Sequence, residues 1–373
     1  MDKNIQFGEE QLAAISKLEN FIGGTDLTIT LSGSAGTGKT TLILELIKYL
    51  EDKNIIYILA APTHKAKLVL ETLTERTAST VHQLLSLQPN LDIFDLDFRE
   101  LDFLSHADIK KPNQIPYKGV VIIDEASMIN DDLFKFIVGT AKERLSKVIF
   151  VGDLKQLQPV RSDKLSLVFS LDNTTVLTKI YRQKEDSPVL DLLKELRDHP
   201  VKSIEPFKGL TDSIFTFNNA IDFVKSSVDI MRETVETKNV LNAKMLAYTN
   251  IRVQAYNKAI RKLLFEDLSV EFYPNEILTG YNNIEFNDRK FFHSLDHIVL
   301  KVSASSLIDI PNFGIPINGY KLQLYDTVYK QNLDVIILSS LYNNISNLSM
   351  LSSYIEQLRL FALSHKSKRY WID

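Results

Sequence analysis

Leu12, Ile15, Leu18 and Ile22 recur at helical spacing and Gly23-Gly24 closes the run, so the pattern predicts a helix over Gly8–Ile22. Leu27, Ile29 and Leu31 then alternate as a strand, and Thr41–Leu50 returns to helical spacing. The run Ile55–Ala61 is almost continuously apolar, as expected of a strand covered on both faces. Pro62-Thr63-His64 breaks it, Lys65–Leu73 reads as a helix, and a shorter helix is expected over Val81–Leu87. Residues 88–118 differ, with several prolines, scattered acids and an alternating Asp95-Leu96-Asp97-Phe98 patch; they read as an insertion, either a hairpin or a loop. Buried strands resume at Gly119–Ser127, Lys147–Asp153 and Thr175–Thr178. Strands separated by helices in this order predict an α/β fold with a parallel sheet wound on both sides, whose ligand lies at the carboxyl ends of the strands.

A second half begins near Leu177. Pro188–Arg197, Ala220–Thr234 and Arg252–Phe265 read as helices, and Lys244–Asn250 as a strand. From about Pro274 to Ser339 the pattern changes to short β runs with turn signals, Asn318-Gly319 among them, which suggests a small β insertion. Leu348–His365 is again helical.

Composition narrows the function classes only a little. A chain of 373 residues has room for two or three domains. With 45% apolar and 24% charged residues it has the balance of a soluble globular protein. Its 43 basic and 47 acidic residues give a formal charge of −4, which does not argue for nucleic acid but permits a local basic groove. The absence of cysteine excludes disulfides and thiolate metal sites. The start MDKNIQFGEEQ has no apolar signal core, and no apolar run nears the ~20 residues of a membrane span. A soluble, cytoplasmic protein of bacterial or phage type is the expectation.

Candidate chemistry centres on GSAGTGKTT, Gly33–Thr41, between the strand and the helix. The stretch fits G-x-x-x-x-G-K-[ST] through Gly33, Gly38, Lys39 and Thr40. Glycines let successive backbone N–H groups curl around an anion, and the following helix adds its positive N-terminal end. Lys39 is expected to reach the β- and γ-phosphates of ATP, and Thr40 to ligate Mg²⁺. Ser34, Ala35, Gly36, Thr37 and Thr41 complete the phosphate cradle. Asp124-Glu125 leaves a buried strand, where the first acid suits Mg²⁺ and the second a general base for water. Gly152–Val160 (GDLKQLQPV) leaves another, where Gln156 is placed to sense a γ-phosphate. Tyr181-Arg182-Gln183 supplies a guanidinium suited to the charge on a departing phosphoryl group.

Taken in order, these motifs resemble superfamily 1 helicases of the 5′→3′ RecD- and Dda-like branch. GSAGTGKTT, APTHKAK (Ala61–Lys67), STVHQLL (Ser79–Leu85), DEAS, GDLKQLQPV, YRQ and AYTN (Ala247–Asn250) match successive family motifs. The resemblance implies a RecA-like P-loop ATPase domain over residues 1–176, with residues 88–118 in place of a strand-separating pin tipped by Phe94, Phe98 or Phe103. It implies an incomplete second RecA-like domain over residues 177–373, with an SH3-like insertion at about 274–339. Gln11 becomes an adenine reader, and Pro62, Thr63, His64, Thr80, His82 and Asn250 become DNA contacts. The cofactors implied are ATP and Mg²⁺, and the partners single-stranded DNA and duplex junctions. A monomer is expected, with replication or recombination proteins as candidate partners and no membrane.

One departure stands out: no His-x-x-Gln-Gly occurs in the 373 residues, so the family's late T-x-H-x-x-Q-G motif and its final arginine are missing. The expectation is a chain stopping short of those motifs that binds ATP–Mg²⁺ yet unwinds DNA poorly. Two alternatives stand beside an active motor: a binding module without efficient turnover, and a P-loop kinase, against which the APTH, STVH and GDLKQ segments argue.

Overall fold

The computed structural model describes residues 7–87 and 113–156 without interruption and residues 158–339 with short gaps, the longest at 182–188, 197–203 and 310–315; beyond 339 only single positions are described. The expected pin, its three phenylalanines and Arg182 lie outside the described residues, as do half of the helix expected over Pro188–Arg197 and most of that expected over Leu348–His365. The chain forms two compact units, residues 1–90 with 101–215, and residues 91–100 with 216–373.

The first unit opens with helix α1 (Glu9–Gly23), then β1 (Thr28–Gly33), α2 (Lys39–Asp52), β2 (Tyr57–Ala61), α3 (His64–Thr74), β3 (Ala78–Thr80) and the single turn α4 (Val81–Leu84). After residues 88–112 it continues with β4 (Val120–Ile123), α5 (Asp131–Glu143), β5 (Lys147–Gly152) and β6 (Thr174–Leu177). These six strands form one sheet in the order β3-β2-β4-β5-β1-β6. Every pairing in it is parallel.

The sheet forms because each strand is apolar on both faces. Ile29, Leu31, Leu59, Val120, Ile122, Ile149 and Val151 pack on one side against Ala14 and Leu18 of α1, Leu42, Leu46 and Leu50 of α2, and Leu70 of α3. Their sequence neighbours Ala60, Val121, Ile123, Val148 and Phe150 face the other side, against Leu84, Ile137 and Ala141. This period-two division of each strand between two helical layers is the RecA-like α/β arrangement implied by the sequence.

In the second unit α6 (Ala220–Glu236) and α7 (Asn250–Leu264) form where helices are expected. They pack through Val224, Val228 and Ile260, with Tyr256 edge-on to Phe223 at 5.8 Å. The strand expected at Lys244–Asn250 does not form. The segment pairs with no strand among the described residues, Leu246 and Tyr248 are exposed, and Thr249 instead caps α7 by accepting from Arg252 N. An alternating run without a neighbouring strand has nowhere to place its backbone hydrogen bonds.

The β insertion is present as an antiparallel sheet. Short β7 (Phe207–Lys208) and β8 (Ser213–Ile214) pair near the end of the first unit, and β9 (Ile277–Thr279), β10 (Ile284–Phe286) and β11 (Arg289–Phe291) follow. Then come β12 (Asp296–Val302), β13 (Ser306–Ile308), β14 (Ile317–Asp326) and β15 (Asn332–Leu338). The sheet runs β13-β14-β12-β9 with β15 on β14, and its core is Val299, Leu322, Leu324 and Leu333. Asn318-Gly319 is no turn but part of β14. A Cβ at Gly319 would lie 2.7 Å from Ile308 Cδ1 and 2.8 Å from the Ile337 carbonyl, so glycine is required by close approach.

Within this sheet His297 and Asp326 are buried together, Nε2 to Oδ2 at 3.6 Å, while Asp326 Oδ1 accepts from Val328 N (2.8 Å) and Tyr329 N (2.9 Å). Burial pushes the Asp326 carboxyl up, but His297 and the two backbone donors hold it below the usual carboxylate value. A folded value below the unfolded one means stability present above the ordinary aspartate range and lost as pH falls through the folded value. Asp326→Ala is expected to cost about 1–3 kcal/mol by leaving the Val328 and Tyr329 N–H groups without their acceptor. Hydrogen exchange across β12 and β14 in the full chain checks this, and unchanged protection would contradict it.

Candidate nucleotide and nucleic-acid site

The P-loop sits between β1 and α2, and its glycines are fixed by contact and conformation. A Cβ on Gly33 would meet Thr37 Oγ1 at 2.7 Å and the Leu177 carbonyl at 3.0 Å. Gly36 and Gly38 have φ of 84° and 90°, in the left-handed region, and a Cβ on Gly38 would be 2.3 Å from Gln11 Nε2. Thr37 is buried and turns the loop by donating from N (3.3 Å) and Oγ1 (2.8 Å) to the Ser34 carbonyl. Ser34, Gly36, Thr40 and Thr41 are half-buried and Ala35 is exposed. Lys39 folds back over the loop, its Nζ donating to the carbonyls of Gly33 (2.6 Å) and Ser34 (2.9 Å). Its ammonium is thereby held at the mouth of the loop.

Gln11 is buried against this loop. Its Oε1 accepts from Gly8 N (3.0 Å) and its Nε2 donates to the Thr37 carbonyl (3.1 Å). Both ends of the amide are thus used inside the protein, and reading an adenine edge requires exchanging these bonds.

The sheet order makes β5 the shared neighbour of β1 and β4, so the acids and the P-loop lie at the carboxyl ends of the two strands that flank β5. Asp124 continues the ladder, its N donating to the Ala60 carbonyl at 2.9 Å, and its Oδ1 accepts from Glu125 N at 2.9 Å. Glu125 takes a left-handed φ of 53° and starts a short turn over Ala126–Met128. Burial pushes the Asp124 carboxyl above its ordinary value, against the pull of Glu125 N and Lys39. Glu125 is raised by burial, then by Asp124 and Asp153, with Lys39 opposing. Two neighbouring acids that burial makes reluctant to ionise, beside one lysine, suit a divalent cation. The donor set therefore fits Mg²⁺ at Asp124 with Thr40.

At the end of β5, Asp153 is buried and shapes the next turn. Its Oδ1 accepts from Lys155 N (3.0 Å) and its carbonyl from Gln156 N (3.1 Å). That turn leaves Gln156 half-buried on the same rim. Ser127 Oγ is buried there with no partner among the described residues.

The remaining candidates also emerge at strand ends. Thr63, after Pro62, caps α3, Oγ1 accepting from Ala66 N at 3.2 Å, and the half-buried His64 is the first residue of that helix. Thr80 caps α4 in a reciprocal box with Gln83 (3.2 and 3.1 Å), so its buried hydroxyl is already engaged. Burial lowers the pKa of His82, disfavouring the charged ring. Asn250 is exposed at the start of α7 in the second unit.

Three participants escaped the sequence reading. Asp153 follows an apolar strand as Asp124 does, and that parallel could have found it. Tyr181 donates from N to the Gly36 carbonyl at 2.8 Å, and Glu10 binds the segment just before it. Tyr181 lies inside the YRQ motif but has no role of its own in that reading, and Glu10 carries no signal beyond ordinary helix-start chemistry.

A profile of the AAA domain family matches residues 6–211. The ATP-dependent DNA helicase dda of Enterobacteria phage T4 is 28% identical over 264 residues, covering 67% of this chain and 55% of the phage protein. The ATP-dependent RecD2 DNA helicase of Deinococcus radiodurans is 33% identical over 183 residues, 49% of this chain and 22% of that protein. A crystal structure of Bacteroides sp Pif1 in complex with ADP-AlF4 aligns with 89% of this chain and 74% of its own, at 19% identity and a TM-score of 0.41. The chain thus spans about half the length of the phage relative and about a fifth of the RecD2 protein. With its P-loop, its paired acids and the family match on one sheet, the chain belongs to the AAA domain family, on the RecD- and Dda-like branch of superfamily 1.

Proposed function

We propose that this protein is an ATP-driven motor that moves 5′→3′ on single-stranded DNA and couples hydrolysis to duplex unwinding. The observation that carries the reading is the convergence of six segments on the carboxyl rim of one parallel sheet. From β3 to β6 they bear Thr80, Pro62–His64, Asp124-Glu125, Asp153–Gln156, Gly33–Thr40 and Thr178–Tyr181. Nucleotide chemistry and strand contacts then share one rigid element, which is what coupling requires.

In this reading Lys39 and the loop N–H groups bind the β- and γ-phosphates, and Glu125 accepts the proton of the attacking water. Gln156 and Arg182 sense the γ-phosphate. Thr40 and Asp124 hold Mg²⁺, which when bound offsets charge on the phosphate oxygens. Among the described residues no helix is long and apolar enough to cross a membrane.

For the DNA side, strand-end backbone N–H groups hold phosphates and His64 stacks on a base. Affinity for an oligonucleotide is expected to fall steeply with salt through counterion release. His64→Ala is expected to lose about 1–3 kcal/mol of binding, the worth of one stack. Thr80→Ala is a poorer probe, because it also removes the cap on α4, worth about 1 kcal/mol. Fluorescence anisotropy across a salt series reads both effects, and unchanged affinity in His64→Ala would place the strand elsewhere. Polarity is tested by displacement of streptavidin from biotinylated single strands. The proposal expects ATP-dependent release from the 3′ end, and preferential release from the 5′ end would reverse it.

A further inference from the structure

The first turn of α1 carries two adjacent side chains that grip different parts of the site. Gln11 braces the P-loop, as described. Glu10 turns to the chain emerging from β6, where its carboxylate accepts from Thr178 N (2.9 Å to each oxygen), Thr178 Oγ1 (2.8 Å) and Lys179 N (3.0 Å). Two residues further on, Tyr181 N donates to the Gly36 carbonyl inside the P-loop. The Tyr181 side chain lies against Gly8, so close that a Cβ there would be 2.1 Å from its hydroxyl oxygen. The contacts close a circuit from Glu10 through Thr178-Lys179 and Tyr181 to Gly36, then through Thr37 back to Gln11.

We propose that Glu10 is a positioning residue for the nucleotide: it holds residues 178–181 as a strap that keeps the P-loop open and aligned for phosphate. The inference rests on the ATP-binding reading of the loop. A carboxylate suits the task because all its donors are N–H or O–H groups and it presents acceptors alone. The donors, led by Lys179 N, hold its pKa below the ordinary glutamate value, so it stays charged at neutral pH. An amide in its place turns an NH₂ toward a backbone N–H. The purely structural account, an acid favoured by the helix dipole, applies equally to Glu9 in the same turn.

The test compares Glu10→Gln with Glu9→Gln in the full chain. Affinity for N-methylanthraniloyl-ADP is titrated by fluorescence, beside the KM for ATP and the melting temperature. Glu10→Gln is expected to weaken diphosphate binding and raise KM roughly tenfold, with kcat changed much less, while Glu9→Gln leaves both constants unaltered. Thr178→Ala, which removes one donor and leaves the backbone bonds, is expected to shift binding the same way by less, and serves if Glu10→Gln melts early. Equal affinity in Glu10→Gln and wild type, or equal losses in the Glu9 and Glu10 variants, overturns the proposal. Binding is read with the diphosphate, so a chain that fails to hydrolyse ATP contradicts the motor reading while the Glu10 comparison still decides.

Discussion

Lys39→Ala is expected to reduce ATP hydrolysis at least a hundredfold while leaving the first unit folded. The ammonium is held at the loop by the Gly33 and Ser34 carbonyls, bonds that a small polar rearrangement can replace with water. Its catalytic worth lies elsewhere, in charge aimed at the phosphoryl group as it departs. Preorganised contacts of this kind contribute about 3–4 kcal/mol to a transition state. The fold is insulated because α2 is anchored by its buried face, Leu42, Ile43, Leu46, Ile47 and Leu50. Steady-state phosphate release checks the rate and circular dichroism the fold. A folded, active Lys39→Ala protein would remove the loop from the chemistry.

Glu125→Gln is the second large effect, with turnover expected to fall by about 10²–10⁴-fold, the range of a general base, and nucleotide affinity near wild type. Because burial and the nearby acids raise the Glu125 pKa in the unliganded protein, the acid limb of kcat/KM in the wild type should lie above the ordinary glutamate value. Stability carries the opposite sign from Asp326. Raised carboxyl pKa values mean that the folded protein gains stability from Asp124 and Glu125 below the ordinary carboxylate range and loses it as pH rises through the folded values. Glu125→Gln should therefore flatten part of that slope. A variant that loses ATP binding instead would make the carboxylate a structural element.

The core of the first unit was legible because its signals are local. Apolar strands followed by glycine or acid, and helices with one apolar face, are written in consecutive residues; β1, β2 and β5 form within a residue or two of expectation, while β4 stops at Ile123, before the acids, where the expected strand ran to Ser127. Arg182 and the expected pin, by contrast, fall outside the described residues, and the structure adds nothing to them. Asn318-Gly319 resembled a turn because glycine has two uses, and only the close approach of Ile308 and the Ile337 backbone tells them apart. The strand at Lys244–Asn250 depended on a neighbour that a local pattern cannot supply. Thr80 illustrates a third case, a residue picked out by motif whose hydroxyl proves to be the cap of its own helix. Glu10 was hidden for the reverse reason: its partners are 168 and 169 residues away in sequence.

The central claim is that the rim of this sheet couples nucleotide hydrolysis to a DNA strand. Steady-state ATP hydrolysis by the 373-residue chain, measured with and without single-stranded DNA, tests it most directly. The account predicts slow hydrolysis alone and a severalfold or larger rise in kcat with the oligonucleotide, abolished in Lys39→Ala. Hydrolysis indifferent to single-stranded DNA, or transfer of phosphate to a small acceptor rather than to water, would contradict it.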